Sequence, residues 1–272
     1  MNETNDKPLL HIEKMEVVYH NVLTAVQGIS IEVRENQIVA LLGTNGAGKT
    51  TTLRAVSGFL GIDDAKVTEG LIRFSGDEIQ NRPPHLITQK GIVLVPEQDK
   101  VFDNLTVEEN LQVSASVRED RTSREKSYDF IFNYFPVLAS VRNRLGGYLS
   151  GGERQMLSIS TALLCNPLLL LVDELSLGLA PIIVEELMNL LKTIRTEQGF
   201  TVLLVEQNAL AALGIADYGY VMENGRLVFD GDPNRLRSHQ DIQEFYLGQG
   251  ERETRKSYRE VKQYRRTRRW YG

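Results

Sequence analysis

The residues of this chain best suited to chemistry are a lysine set among glycines, a pair of adjacent carboxylates, and a serine followed by two glycines. Gly43-Thr44-Asn45-Gly46-Ala47-Gly48-Lys49-Thr50-Thr51 fits the GxxxxGK[ST] pattern, with the apolar run Ile38 to Leu42 before it and a helical pattern, Thr51 to Ser57, after it. Glycines at 43, 46 and 48 let the backbone curl so that successive N–H groups face inward. Together with the partial positive charge of the helix start, those groups suit phosphate oxygens. Lys49 is expected to add a point charge at the β and γ phosphates, and Thr50 a hydroxyl to Mg²⁺, which keeps several of its own waters. ATP with Mg²⁺ is the ligand this loop predicts.

Leu168 to Val172 ends in Asp173-Glu174, two carboxylates at the carboxyl end of an apolar strand, where ligands of open α/β sheets gather. Asp173 is expected to hold Mg²⁺, directly or through water, and Glu174 to polarise the attacking water as general base. Leu149-Ser150-Gly151-Gly152-Glu153 precedes an apolar helical pattern, with Ser150 placed 23 residues ahead of Asp173. On physical grounds it is a second anion-binding helix start, although a plain serine N-cap would read the same way. Two such starts about a hundred residues apart in one chain suggest a head-to-tail dimer holding nucleotide between its halves.

The elements that must carry these groups are legible from periodicity. Ile38 to Leu42, Ile92 to Val95, Leu168 to Val172 and Val202 to Val205 are short continuous apolar runs, as expected of parallel strands covered on both faces. Helical patterns at Thr51 to Ser57, Tyr128 to Phe135, Glu153 to Leu164 and Ile182 to Thr196 lie between or beside them, which predicts an α/β sheet with right-handed crossovers. Ile29, Ile31 and Val33 alternate, as do residues from Leu71 to Phe74, predicting half-exposed antiparallel strands. Asn224-Gly225 between two apolar runs predicts a type I′ hairpin. The mostly helical stretch from about 85 to 165 is read as a subdomain inserted into a domain covering 1–250. No run of eighteen apolar residues exists, and Met1 to Lys7 is polar, so a cytosolic chain is expected. The lone Cys165 excludes an intramolecular disulfide and reads as a small buried hydrophobe.

Taken together, the three motifs resemble the ABC transporter ATPase family, and the implied fold is a P-loop NTPase of ABC type: a parallel core sheet, an antiparallel β subdomain and an inserted helical subdomain. The resemblance implies that Ser150, Gly151, Gly152 and Glu153 form a signature loop contacting the γ-phosphate held by a partner's phosphate loop. It also implies that Tyr19, thirty residues ahead of Lys49, stacks on adenine, with core packing as the plainer reading. Ser176-Leu177-Gly178-Leu179-Ala180-Pro181 matches a segment that crosses the dimer interface, and it also reads as a short loop opening a helix. The family's metal-sensing Gln aligns with Glu97, with Gln98 beside it, and the sequence leaves open which reaches the metal. Gln207 stands where most of the family has a His near the γ-phosphate; an amide can donate but does not titrate.

Val95-Pro96-Glu97, Val101-Phe102, Leu105 to Leu111, Ser176 to Pro181 and Val205-Glu206-Gln207-Asn208 narrow the likeness to the ATPases of branched-chain amino-acid importers, the second paralogue of their pair. That implies a sister ATPase (as heterodimer, with a homodimer the alternative), two transmembrane permeases and an external solute-binding protein. Leu175 replaces the usual Pro, so a slightly altered loop with retained catalysis is expected. Phe102 and Leu105 are read as a docking surface for a permease helix, while Thr106-x-x-Glu109 within it fits a capping box.

Residues 251–272 hold nine Lys/Arg against three Glu, so the net charge of −5 hides an acidic body and a basic tail. The body argues against nucleic acid. The tail reads as a flexible solvated segment, or as one that touches anionic lipid through its cations and interleaved aromatics. Two other classes share the motifs. DNA-repair or chromosome ABC ATPases insert coiled-coil arms or zinc modules that are missing here, and a binding subunit with little turnover is motivated by Gln207 alone.

Overall fold

The computed structural model describes residues 7–97, 101–115, 121–239 and 242, and for residues 115 and 121–127 the backbone alone. Gln98 and the basic tail lie outside the described residues. In chain order the strands are β1 (Leu10–Tyr19), β2 (Leu23–Val33), β3 (Ile38–Gly43), β4 (Ala65–Phe74), β5 (Asp77–Glu78), β6 (Ile92–Val95), β7 (Leu169–Asp173), β8 (Thr201–Glu206), β9 (Tyr218–Glu223) and β10 (Arg226–Gly231). The helices are α1 (Lys49–Ser57), α2 (Pro84–Gln89), α3 (Val107–Ala115), α4 (Arg121–Tyr134), α5 (Pro136–Ser140), α6 (Gly151–Leu164), α7 (Pro181–Gln198), α8 (Ala209–Ile215) and α9 (Pro233–Ser238).

Two sheets result. One is antiparallel with the order β2-β1-β4-β5, and the other has the order β10-β9-β3-β8-β7-β6, parallel from β9 to β6 with β10 antiparallel at its edge. The continuous apolar runs are explained by alternation across the large sheet. Ile38, Ala40 and Leu42 of β3 enter the core shared with the helices, whereas Val39 and Leu41 enter the core shared with the antiparallel sheet and α1. β7 and β8 divide in the same way, Leu170/Val172 and Val202/Leu204 against Leu169/Leu171 and Leu203/Val205. Successive side chains point to opposite faces, so a strand between two cores must be apolar at every position.

Asn224 and Gly225 both have positive φ (49° and 79°), as a type I′ turn requires. Within the mostly helical stretch 85–165, Ile92–Val95 forms β6 as its apolar run predicts, paired in register with β7. The reason is the chemistry of the run itself, four apolar residues that complete the edge of the parallel sheet. Within that stretch Asn110, 1% exposed, ties down the 102–106 loop, accepting from Phe102 N–H and donating to the carbonyls of Phe102, Leu105 and Thr106. Cys165 is half-buried against the core, where full burial was expected, because it caps the exposed end of α6. No described helix is long and apolar enough to cross a membrane.

Candidate functional site

The carboxyl ends of β3, β7 and β8 lie side by side, and Lys49, Thr50, Asp173 and Glu174 meet there. β3 delivers the 43–48 loop to α1. Gly48 caps the helix at φ 105°, a conformation that a side chain would strain, and a Cβ there would stand 2.7 Å from Met222 Cε. A Cβ on Gly43 would come within 2.5 Å of the Met222 carbonyl, so glycine at 43 is set by the close approach of β9. The hairpin turn also braces this loop, since Gly225 N–H donates to Ala47 O at 2.9 Å. Thr44, Asn45 and Gly46 stay exposed, Ala47 is buried, and Gly46 sits at φ 78°.

Lys49 is 4% exposed, and its Nζ donates to Thr44 O at 3.2 Å while pairing with Glu174 Oε1 at 3.1 Å. Thr50 Oγ1 donates to Asp173 Oδ1 at 3.1 Å, and Thr51 Oγ1 lies 3.3 Å from the Tyr19 hydroxyl. Tyr19, at the end of β1, is thus carried to the edge of the loop, while its partly buried ring packs on the core. Glu97 follows β6 and faces a cavity of about 580 Å³ shared with Thr50 and Asp173. Gln207, the first residue past β8, is exposed at the same edge.

Burial pushes the Asp173 carboxyl up from 3.8 to about 6; the Thr50 hydroxyl opposes this, and the charges of Glu174 and Glu97 add to it. An acid that holds its proton more tightly when folded stabilises the fold at low pH, and that contribution fades as pH rises from about 4 to about 6. In protein free of metal and nucleotide, Asp173→Asn is therefore expected to flatten the loss of stability over that window by about 3 kcal/mol. Urea denaturation at a series of pH values reads it, and equal slopes for parent and variant would refute it. Asn retains an oxygen able to accept from Thr50, so the local geometry is kept.

Thr50, Asp173 and Glu97 offer hard oxygen donors beside an open cavity, a donor set suited to Mg²⁺.

The second helix start is built as a capping box. Ser150 Oγ accepts from Glu153 N–H at 3.3 Å, and Glu153 Oε2 accepts from Ser150 N–H at 2.7 Å. Arg144 pairs with Glu153 at 3.2 Å, and these contacts hold the Glu153 carboxyl well below the usual range. Ser150 and Gly151 are exposed. Cβ atoms on Gly151 and Gly152 would stand 3.1 Å from Leu179 and Ile183, so the glycines let α6 approach the start of α7. Among the described residues, none of the groups hydrogen-bonded to Ser150 belongs to the Lys49 site.

Beyond β6, Phe102 is 59% exposed and Leu105 half-buried. The Thr106–Glu109 capping box forms: Thr106 N–H donates to Glu109 Oε2 at 2.7 Å, and Glu109 N–H to Thr106 Oγ1 at 3.2 Å. Leu175 is fully buried in the helical core, so the residue that replaces proline anchors the loop after Glu174 by packing. Glu206 was read in the sequence only as part of a family-like string. It is fully buried and accepts from Ser176 N–H at 2.9 Å and Ser176 Oγ–H at 2.6 Å. A charged residue closing an otherwise apolar strand was the signal available in the sequence.

Comparison with known proteins agrees with this geometry. The family model described as ABC transporter matches residues 26–176. The high-affinity branched-chain amino acid transport ATP-binding protein BraG of Pseudomonas aeruginosa is 40% identical over 240 residues, covering 88% of this chain and 100% of BraG. The probable branched-chain amino acid transport ATP-binding protein LivF of Archaeoglobus fulgidus is 37% identical over 220 residues, 81% of this chain and 91% of that protein. A solved ATP-binding cassette of an ABC transporter in its ADP conformation superposes with a TM-score of 0.75 at 27% identity, covering 88% of this chain and 98% of that one. With this family model over more than half of the chain and relatives of this identity over most of it, the chain belongs to the ABC transporter ATP-binding family.

Proposed function

We propose that this chain hydrolyses ATP as one half of a two-ATPase pair on the cytoplasmic face of a membrane, and that turnover drives import of branched-chain amino acids through two permeases fed by an external binding protein. The observation that carries the catalytic reading is the joint placement of Lys49–Glu174 and Thr50–Asp173, each 3.1 Å apart, at the carboxyl edge of one sheet. The solute reading rests on the likeness to BraG and LivF over most of the chain.

In this reading the N–H groups of residues 43–49 grip the phosphates, and Lys49 exchanges its contact with Glu174 for β and γ phosphate oxygens. Thr50 and Asp173 hold Mg²⁺, with Glu97 nearby; the ion supplies neutralisation of phosphate charge. Glu174, released by Lys49, accepts a proton from water as the water oxygen bonds to the γ phosphorus and the bond to ADP breaks. Gln207 donates to the departing phosphate, and Tyr19 stacks on the base. The Ser150 hydroxyl accepts from its own helix, so its proton is free to donate across a dimer interface, alongside the Gly151 and Gly152 N–H groups. The exposed Phe102 and the Leu105 beside it form the surface for a permease helix. Dimer closure then moves the permeases, and hydrolysis releases it.

Uptake of labelled leucine, isoleucine and valine tests the solute. Cells lacking the chain are expected to lose at least about tenfold in high-affinity uptake, restored by the parent and not by Lys49→Ala. Undiminished uptake of all three in cells that lack the chain would overturn the assignment.

A further inference from the structure

Glu206 has no part in the roles assigned so far, and its placement is costly without one. A carboxyl group with no exposed surface and, among the described residues, no ion-pair partner must be compensated by hydrogen bonds. Ser176 supplies them, from its N–H at 2.9 Å and its hydroxyl at 2.6 Å. One residue earlier, Val205 O accepts from Glu174 N–H at 2.9 Å. The loop that leaves β7 is therefore tied to the end of β8 at two successive points. At its start stands Glu174, in the left-handed region at φ 46°, a conformation that a residue with a Cβ holds only when its surroundings impose it. At its far end Leu179 lies against the position of a Gly151 Cβ, so the loop joins the water-polarising carboxylate to the helix start at Ser150.

We propose that Glu206 is a positioning residue for hydrolysis: by clamping Ser176 it fixes the 174–181 loop, and with it the aim of the Glu174 carboxylate. The proposal rests on the catalytic reading of Glu174 given above. It makes a distinction that bulk stability does not. A glutamine at 206 can keep the clamp, with its carbonyl oxygen accepting from Ser176 N–H and its NH₂ donating to Ser176 Oγ, because a hydroxyl accepts as readily as it donates. An alanine cannot.

The test uses the full-length chain assembled with its sister subunit, and two readouts. In Glu206→Ala, kcat for ATP is expected to fall about tenfold or more while KM changes less than about threefold. Hydrogen exchange at the Ser176 amide should quicken by about a hundredfold in the nucleotide-free protein. Both should return to near parent values in Glu206→Gln, and Ser176→Ala combined with Glu206→Ala should be no slower than Glu206→Ala alone. Parent-like kcat in Glu206→Ala overturns the proposal, and so does a Glu206→Gln variant as slow as the alanine, which would assign the effect to negative charge. If Glu206→Ala does not fold, Ser176→Ala carries the test, with kcat expected about threefold down and a parent-like value overturning it. A parent protein without ATPase activity would refute the catalytic reading, and unchanged amide exchange would separately refute the clamp.

Discussion

Replacing Glu174 with glutamine is expected to slow ATP hydrolysis by about 10²–10⁴-fold while leaving ATP binding within a fewfold of the parent. Glu174 is 7% exposed, and one carboxyl oxygen already lies 3.1 Å from Lys49 Nζ. Glutamine keeps the size and one acceptor oxygen but cannot take a proton from water, so a loss confined to turnover assigns the base. A second consequence follows from the two separated helix starts. With hydrolysis blocked, ATP should hold two ATPases together, and light scattering should report a dimer that the parent forms only transiently. Single-turnover hydrolysis at the parent rate would remove Glu174 from the chemistry, and a monomer in saturating ATP would remove the shared-nucleotide arrangement.

Lys49→Ala is expected to act twice. Without the ammonium group the phosphates lose a charge-assisted donor, and ATP affinity should weaken by about a hundredfold with turnover undetectable. Without nucleotide, the same change leaves Glu174 beside Asp173 in a buried setting with its cation gone. Removing one partner of a buried pair costs about 3–5 kcal/mol. Glu174→Gln in the same background should recover most of it, because an amide needs no counter-charge. Urea denaturation of the four proteins of the cycle measures the coupling, and additive losses would show that the 3.1 Å contact contributes nothing to the folded state.

Much of this site is legible in the sequence because its parts are local. The phosphate loop needs glycine at fixed offsets, a lysine and a hydroxyl within nine consecutive residues, and each requirement is visible one residue at a time. The capping box at Thr106–Glu109 and the Asn224-Gly225 turn are equally short-range and form as their spacing predicts, and the serine N-cap at Ser150 forms with Glu153 closing it into a second box. The four apolar runs specify the parallel strands because a strand between two cores has no polar face to lose.

Other features involve residues far apart in the chain. Gly43 is required by the Met222 carbonyl, and the phosphate loop is braced from Gly225. The sequence alone determined the ligand class, the sheet and the identity of the lysine, hydroxyl and carboxylates, since each follows from side-chain chemistry and periods of two or 3.6 residues. Tertiary structure alone decided that Lys49 rests on Glu174, that Glu97 shares a cavity with Asp173, and that Glu206 holds Ser176. Such contacts arise when strands distant in sequence are set side by side, and no local pattern encodes which carboxylate will then face which donor.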